Sequence, residues 1–279
     1  MDQGDLQTKS EPFWLFMHIP KAAGTTLRSI VDAQYGADNV LTYYNQPNRQ
    51  LLDNLPYVLM DPRRSYRALI GHFSFGVHEG LPKPARYVTF LRDPVRRAIS
   101  AYHEVIKTNP ARFSRADGTR MGLEEVLDRR PEALANQQLK MLSGLESEAA
   151  SDDIDMAAAK RNLAFHFAFV GTMERYNESL LLLTKRLGWR PCLYGRLNEA
   201  GWPAPLGRHI ERLLARMNEF ERSLYDWIDQ MLTATIAEEG DSFALALAEL
   251  NAALAAHQDN ACLIITAAEL PKVAAYLQA

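Results

Sequence analysis

Residues 13–28 read Phe-Trp-Leu-Phe-Met-His-Ile-Pro-Lys-Ala-Ala-Gly-Thr-Thr-Leu-Arg, and this stretch decides the fold. Phe13 to Ile19 is an almost unbroken apolar run. It is too short for a helix with these flanks and reads as a strand buried on both faces. Pro20 ends the strand, and Gly24 permits a tight loop. Leu27, Ile30, Val31 and Gln34 then fall at helical spacing as far as Gly36, a residue suited to a helix C-terminus. A strand, a loop with lysine and glycine, two hydroxyls and a helix make a layout that binds anionic oxygen. The free N–H groups of the first helical turn face the loop, and the helix dipole favours negative charge there. Lys21 adds a full positive charge, and Thr25 and Thr26 add hydroxyl donors. Taken alone, the stretch also fits an ordinary strand-turn-helix with a surface lysine.

The order of residues separates two kinds of phosphate loop. A Walker A loop is G-x-x-x-x-G-K-[ST], with lysine after the second glycine. Here Lys21 precedes Gly24, and no first glycine exists. The run His18-Ile19-Pro20-Lys21-Ala22-Ala23-Gly24-Thr25-Thr26 instead resembles the 5′-phosphosulfate loop of the sulfotransferases related to heparan sulfate 2-O-sulfotransferase. Those loops usually read H-I-P-K-x-G-G-T-[ST]. Ala23 replaces the first of the two glycines, so the backbone has less freedom at that point.

A second stretch strengthens the resemblance. Residues 88–103 read Val-Thr-Phe-Leu-Arg-Asp-Pro-Val-Arg-Arg-Ala-Ile-Ser-Ala-Tyr-His. Tyr87 to Phe90 are β-formers, Asp93 is a good N-cap, and Pro94 is a good first helical residue. Arg92 therefore sits where a strand meets a helix, and its guanidinium can bind phosphate with two parallel hydrogen bonds. The pattern resembles the family's [FL]-L-R-[DN]-P-x-x-R-x-x-S segment. That resemblance implies that Arg92 and Ser100 bind the 3′-phosphate of 3′-phosphoadenosine 5′-phosphosulfate (PAPS). Without the family, an arginine paired to a carboxylate and a serine bonded back to its own helix would explain the same residues.

Between these two lies Ile70-Gly71-His72-Phe73-Ser74-Phe75, which resembles the family segment carrying the catalytic histidine. Attack by a hydroxyl needs a base with a pKa near neutrality, and histidine is that side chain. His72 is the expected base, with His78 and Glu79 in reserve, and His18 is expected to pack. Two weaker likenesses are Asn136 to Gly144, similar to D-N-x-x-x-R-x-L-[SA]-G, and Gly171 to Leu180, similar to G-x-x-E-x-[FY]-x-x-S-L. Arg196-Leu197-Asn198 resembles part of the loop over the adenine and 3′-phosphate, and Asn218 to Trp227 the helix that closes the domain. The likeness runs from about residue 13 to 235.

Composition bounds the rest. A chain of 279 residues with 47% hydrophobic and 23% charged residues can hold one large α/β domain with an appendage. Its net charge of −3 argues against broad nucleic-acid binding. Yet residues 86–130 hold ten Arg or Lys against six Asp or Glu, a basic island suited to a small polyanion or to solvated helix faces. Cys192 and Cys262 match no metal or redox spacing and read as free thiols of a reducing compartment. The acidic start lacks a signal peptide, and no long apolar run occurs, so a cytoplasmic protein is expected, without the Golgi anchor of many animal relatives.

Short strands near 13–19, 67–70, 86–91 and 168–171 alternate with helices, which indicates a parallel sheet with helices on both faces. Helices are expected near 94–107, 121–129, 131–143, 152–165, 174–187 and 208–237. Residues 37–66 read as loops with a short helix near 48–54, and 190–207 as a loop. The expected organisation is a flexible tail at 1–12, a P-loop NTPase-like domain at 13–240 and a helical C-terminal extension at 241–279.

The resemblance implies transfer of a sulfuryl group from PAPS to a hydroxyl on a carbohydrate or small molecule, with no metal. Lys21, Ala22, Ala23, Gly24, Thr25 and Thr26 would hold the 5′-phosphosulfate, and Arg92, Ser100 and Arg196 the rest of the nucleotide. An ATP-dependent P-loop kinase and a non-catalytic nucleotide-binding protein are the alternatives. The kinase needs another lysine position and an acidic metal ligand after an apolar strand.

Overall fold

The computed structural model describes residues 11–44, 49–145, 155–195, 207–257, 259 and 261–279. Arg196 and its neighbours, and the tail at 1–10, lie outside them. The main sheet has five parallel strands: Phe13–Met17 (β1), Val40–Tyr43 (β2), Ala68–Gly71 (β3), Ala85–Leu91 (β4) and Phe167–Thr172 (β5). Their order is β2-β3-β1-β4-β5, so the first strand is central.

That position explains the all-apolar sequence of β1. Alternate side chains enter two separate cores, Phe13, Leu15 and Met17 on one face and Trp14 and Phe16 on the other. Gly24–Tyr35 (α1) covers the second face with Leu27, Ile30 and Val31. Gln137–Ser143 (α6 below) and Met156–His166 (α7) cover the first with Leu139, Leu142, Ala159 and Leu163. The helices between β2 and α7 are Gln50–Asp53 (α2) and Leu55–Met60 (α3), both before β3, and Pro94–Thr108 (α4), Leu123–Arg129 (α5) and α6 after β4.

Tyr176–Leu187 (α8) follows β5, and Cys192–Leu193 (β6) pairs antiparallel with Leu263–Ile264 (β7). Arg208–Met217 (α9) and Glu219–Ala256 (α10) replace the single helix expected at 208–237. The side chain of Asn218 explains the break: its Oδ1 accepts from Asn136 N–H at 2.8 Å. Gly240, at φ 66° and ψ −154°, makes α10 two helices meeting at a kink. Residues 241–279, ending in Pro271–Gln278 (α11), pack Phe243, Leu250, Val273 and Tyr276 against Leu181 and Leu182 of α8.

Three other expectations are corrected. Residues 37–66 contain β2, an edge strand, as well as α2 and α3. The helix expected at 131–143 begins only at Gln137, because Asn136 adopts a left-handed conformation at φ 53°. The helix expected at 121–129 begins at Leu123.

Candidate functional site

Loops leaving the carboxyl ends of β1 and β4 run to opposite sides of the sheet, which opens the crevice where such folds take ligands. The first loop is residues 18–23. Lys21 has φ 70°, and Ala23, the residue before α1, has φ 61° and ψ 20°. Both are left-handed without being glycine, and the geometry is the one that the missing glycine would have favoured. No side chain caps α1. Its first-turn N–H groups and dipole therefore fit an anion arriving from the loop. Thr26 is buried and Thr25 exposed.

Arg92 closes the loop from β4. Its Nη1 donates to the Lys21 carbonyl at 3.1 Å, so the structure ties the two sequence motifs together directly. Asp93 caps α4 by accepting from Arg96 N–H at 2.8 Å. Lys21 Nζ reaches across to Glu104 Oε2 of α4 at 3.0 Å. Ser100 lies one turn before Glu104 on that face, half-buried. Sequence reading missed Glu104, although its place four residues after Ser100 was a usable sign.

His72 follows β3 on the other side of β1. Its ring centroid lies 4.6 Å from that of His18 and 4.9 Å from that of Tyr44. His18 Nδ1 and the Tyr44 hydroxyl are 3.1 Å apart. Burial holds the His72 imidazole down at about 4. Burial first, then the charges of His72 and Lys21, holds His18 at about 3. Both rings are neutral at pH 7. Nε2 of His72 is buried with no hydrogen-bond partner among the described residues, and a buried orphan of this kind asks for an explanation beyond stability. Tyr44 was not singled out from the sequence; its sign was a second tyrosine just past the end of an apolar segment.

The reserve candidates lie elsewhere. His78 Nδ1 is 3.1 Å from the Tyr87 hydroxyl of β4, and its ring is 4.4 Å from that of His166. Glu79 lines a polar cleft of about 480 Å³ with Arg49, Ser74, Phe75, Ser143 and Asn162. This cleft begins two residues after His72.

The weaker sequence likenesses have physical reasons. Gly171 has no room for a side chain, since a Cβ would come within 2.7 Å of Ser179 Cβ and 2.8 Å of the Phe90 ring. Glu174 accepts from Asp93 N–H at 3.1 Å and from the Tyr225 hydroxyl at 2.8 Å, so it braces the Arg92–Asp93 corner. Among the described residues no group of His, Cys, Asp and Glu forms a metal site, and no helix is long and apolar enough to cross a membrane.

Comparison with known proteins bears on this arrangement. No curated protein sequence matches the chain. A sulfotransferase from Alicyclobacillus acidocaldarius, known from its crystal structure, is 14% identical, with 74% of this chain and 90% of that chain covered and a TM-score of 0.40. The model of the sulfotransferase family matches residues 6–190, which hold the 18–26 loop, His72 and the Arg92–Ser100 segment. With two thirds of its length inside that match, the chain belongs to the sulfotransferase family.

Proposed function

We propose that the chain moves a sulfuryl group from PAPS to a hydroxyl of a carbohydrate or small-molecule acceptor. The bond from Arg92 to the Lys21 carbonyl carries this reading, because it joins a 5′-phosphosulfate loop to a 3′-phosphate residue at one crevice. The nucleotide supplies an activated sulfuryl group, whose sulfur–oxygen bond to the 5′-phosphate breaks as the acceptor oxygen attacks sulfur. Lys21, Ala22, Ala23, Gly24, Thr25 and Thr26 hold the phosphosulfate, while Arg92 and Ser100 hold the 3′-phosphate. Lys21 neutralises charge on the departing phosphate, as preorganised cations do in related transfers. His72, neutral at pH 7, takes the acceptor proton.

The polar cleft beyond His72 suits a hydroxyl-rich acceptor. It carries one cation, Arg49, and one anion, Glu79, which balances better for a neutral ligand than for a polyanion. A reducing, cytoplasmic setting suits Cys192 and Cys262, both free thiols.

Calorimetry with adenosine 3′,5′-bisphosphate and adenosine 5′-phosphate tests the reading. The bisphosphate is expected to bind at least tenfold more tightly, with Arg92→Ala removing most of the difference. Equal affinities in the wild type would sink the assignment.

A further inference from the structure

Arg92 is the first residue beyond β4, so its peptide N–H and C=O have left the strand ladder. A primary amide replaces the missing strand. Arg92 N–H donates to Gln138 Oε1 at 2.8 Å, and Gln138 Nε2 donates to the Arg92 carbonyl at 2.8 Å. Gln and Asn present a donor and an acceptor side by side in one plane for such a pairing, which an ionised carboxylate does not.

Gln138 is itself held from below. Its Nε2 also donates to Glu221 Oε1 at 2.8 Å, and its backbone N–H donates to Glu221 Oε2 at 2.7 Å. Glu221, on α10, is 1% exposed and lies 3.4 Å from Nε of the fully buried Arg97. Arg97 in turn donates to Gln137 Oε1 at 2.8 Å and to the Leu134 carbonyl at 2.6 Å. A buried ion pair is a poor source of net stability compared with apolar packing. What this one supplies is direction: it fixes the plane of the Gln138 amide.

We infer that Gln138 is a positioning residue for Arg92, acting through a two-point amide clamp anchored on the Arg97–Glu221 pair, and that it sets the preference for a nucleotide 3′-phosphate. The inference rests on the proposed role of Arg92. The clamp fixes the main chain, the bond to the Lys21 carbonyl fixes the guanidinium, and both ends of the side chain are thereby set before a nucleotide arrives. Helix α6 also meets the His72 side of the crevice, since Phe75 N–H donates to the Met141 carbonyl at 2.8 Å and Ser74 Oγ to the Leu145 carbonyl just beyond it at 2.7 Å.

The test has three parts. In the wild type without ligand, hydrogen exchange at the Arg92 amide is expected to be slowed as much as at Phe90, within about tenfold. In Gln138→Met, which keeps the volume and loses both bonds, the ratio of bisphosphate to monophosphate affinity is expected to fall about tenfold, with the monophosphate affinity within about threefold of wild type; outer partners of binding groups typically contribute about 10–100-fold. In Gln138→Glu the carboxylate can accept from the Arg92 N–H but cannot donate to its carbonyl. Protonation restores a donor, so the ratio is expected to rise from pH 8 to pH 5 in this variant more than in the wild type. A folded Gln138→Met protein that keeps the wild-type ratio overturns the proposal. So does an Arg92 amide that exchanges at an open-loop rate, a measurement that stands even if neither variant folds. A wild type without preference for the bisphosphate would instead sink the role of Arg92, and the exchange rate would still report on the clamp.

Discussion

The His18 imidazole occupies the space in which a Gly24 side chain would begin: a Cβ there would lie 1.8 Å from both Cδ2 and Nε2 of the ring. The 18–23 loop and the His18–Tyr44–His72 cluster are therefore one packed unit. Gly24→Ala forces the His18 ring or the loop backbone to shift within this cluster. Overpacking of this kind costs about 1–3 kcal/mol. Urea unfolding is expected to show that loss, and calorimetry a weaker bisphosphate complex. A Gly24→Ala protein as stable as the wild type would show that the ring moves freely.

Ala23→Gly runs the other way. Ala23 sits at φ 61°, a conformation that costs a non-glycine residue about 1–2 kcal/mol. Glycine relieves the strain but loosens the unfolded chain by about 0.4–1 kcal/mol. The net expectation is a stabilisation of about 0.5–1 kcal/mol and a higher melting temperature. A lower melting temperature would mean that the alanine methyl makes contacts worth more than the strain.

Acid should weaken the fold before carboxylates dominate. His18 and His72 stay neutral in the folded protein down to about 3 and about 4, against an ordinary 6.5. The unfolded chain takes up both protons first. Their contribution to stability is thus complete above pH 6.5 and is lost as pH falls toward 4. Two protons set a slope of at most about 2.7 kcal/mol per pH unit. Urea titrations between pH 7 and pH 4.5 check it. His18→Asn should reduce the slope by about half, and an unchanged slope would move its origin away from this pair.

The buried ion pair gives a contrast with the surface. Glu221→Gln leaves the Arg97 guanidinium charged and without its counter-ion at zero exposure, and such breaks cost about 3–5 kcal/mol. Arg63→Ala breaks the bidentate contact to Asp61 at the surface, where Arg63 is 85% exposed, and should change stability far less, because solvent screens the pair. Denaturation of both variants measures the difference. Similar losses would mean that Gln137 and Leu134 alone can satisfy Arg97.

These contacts mark the limit of what the sequence carries. The strands β1 and β4 are legible because a strand buried on both faces must be apolar throughout, and their ends place Lys21 and Arg92 at one edge. The strand β2 is not, because Val40–Tyr43 is a short edge strand with two half-buried residues among polar neighbours. Asn136 and Asn218 look like ordinary helix residues until their side chains are seen to bond to backbone 81 or more residues away. Lys21 and Glu104 are 83 residues apart, and Arg92 and Gln138 are 46 apart. The residue types of the site can be read locally. Their partners depend on tertiary packing, which no local spacing reveals.

Removing His72 separates catalysis from architecture. If it is the base, His72→Ala should cut turnover by about 10²- to 10⁴-fold, or roughly 3–5.5 kcal/mol of barrier, while bisphosphate affinity stays near normal. Lys21→Ala should lower both if, as proposed, Lys21 neutralises the departing phosphate. The cost to the fold of His72→Ala is the packing lost against the His18 and Tyr44 rings, since Nε2 has no partner to lose among the described residues, and it is partly offset by removal of a ring that burial holds at about 4. The acid limb of the wild-type rate should accordingly lie nearer pH 4 than pH 6.5. Melting temperature, affinity and sulfuryl transfer measured on one His72→Ala sample distinguish the outcomes. A stable variant that binds nucleotide and still transfers at more than a tenth of the normal rate would remove His72 from the mechanism. Glu79, in the cleft beyond it, would then be tested before His78, whose Nδ1 is committed to Tyr87.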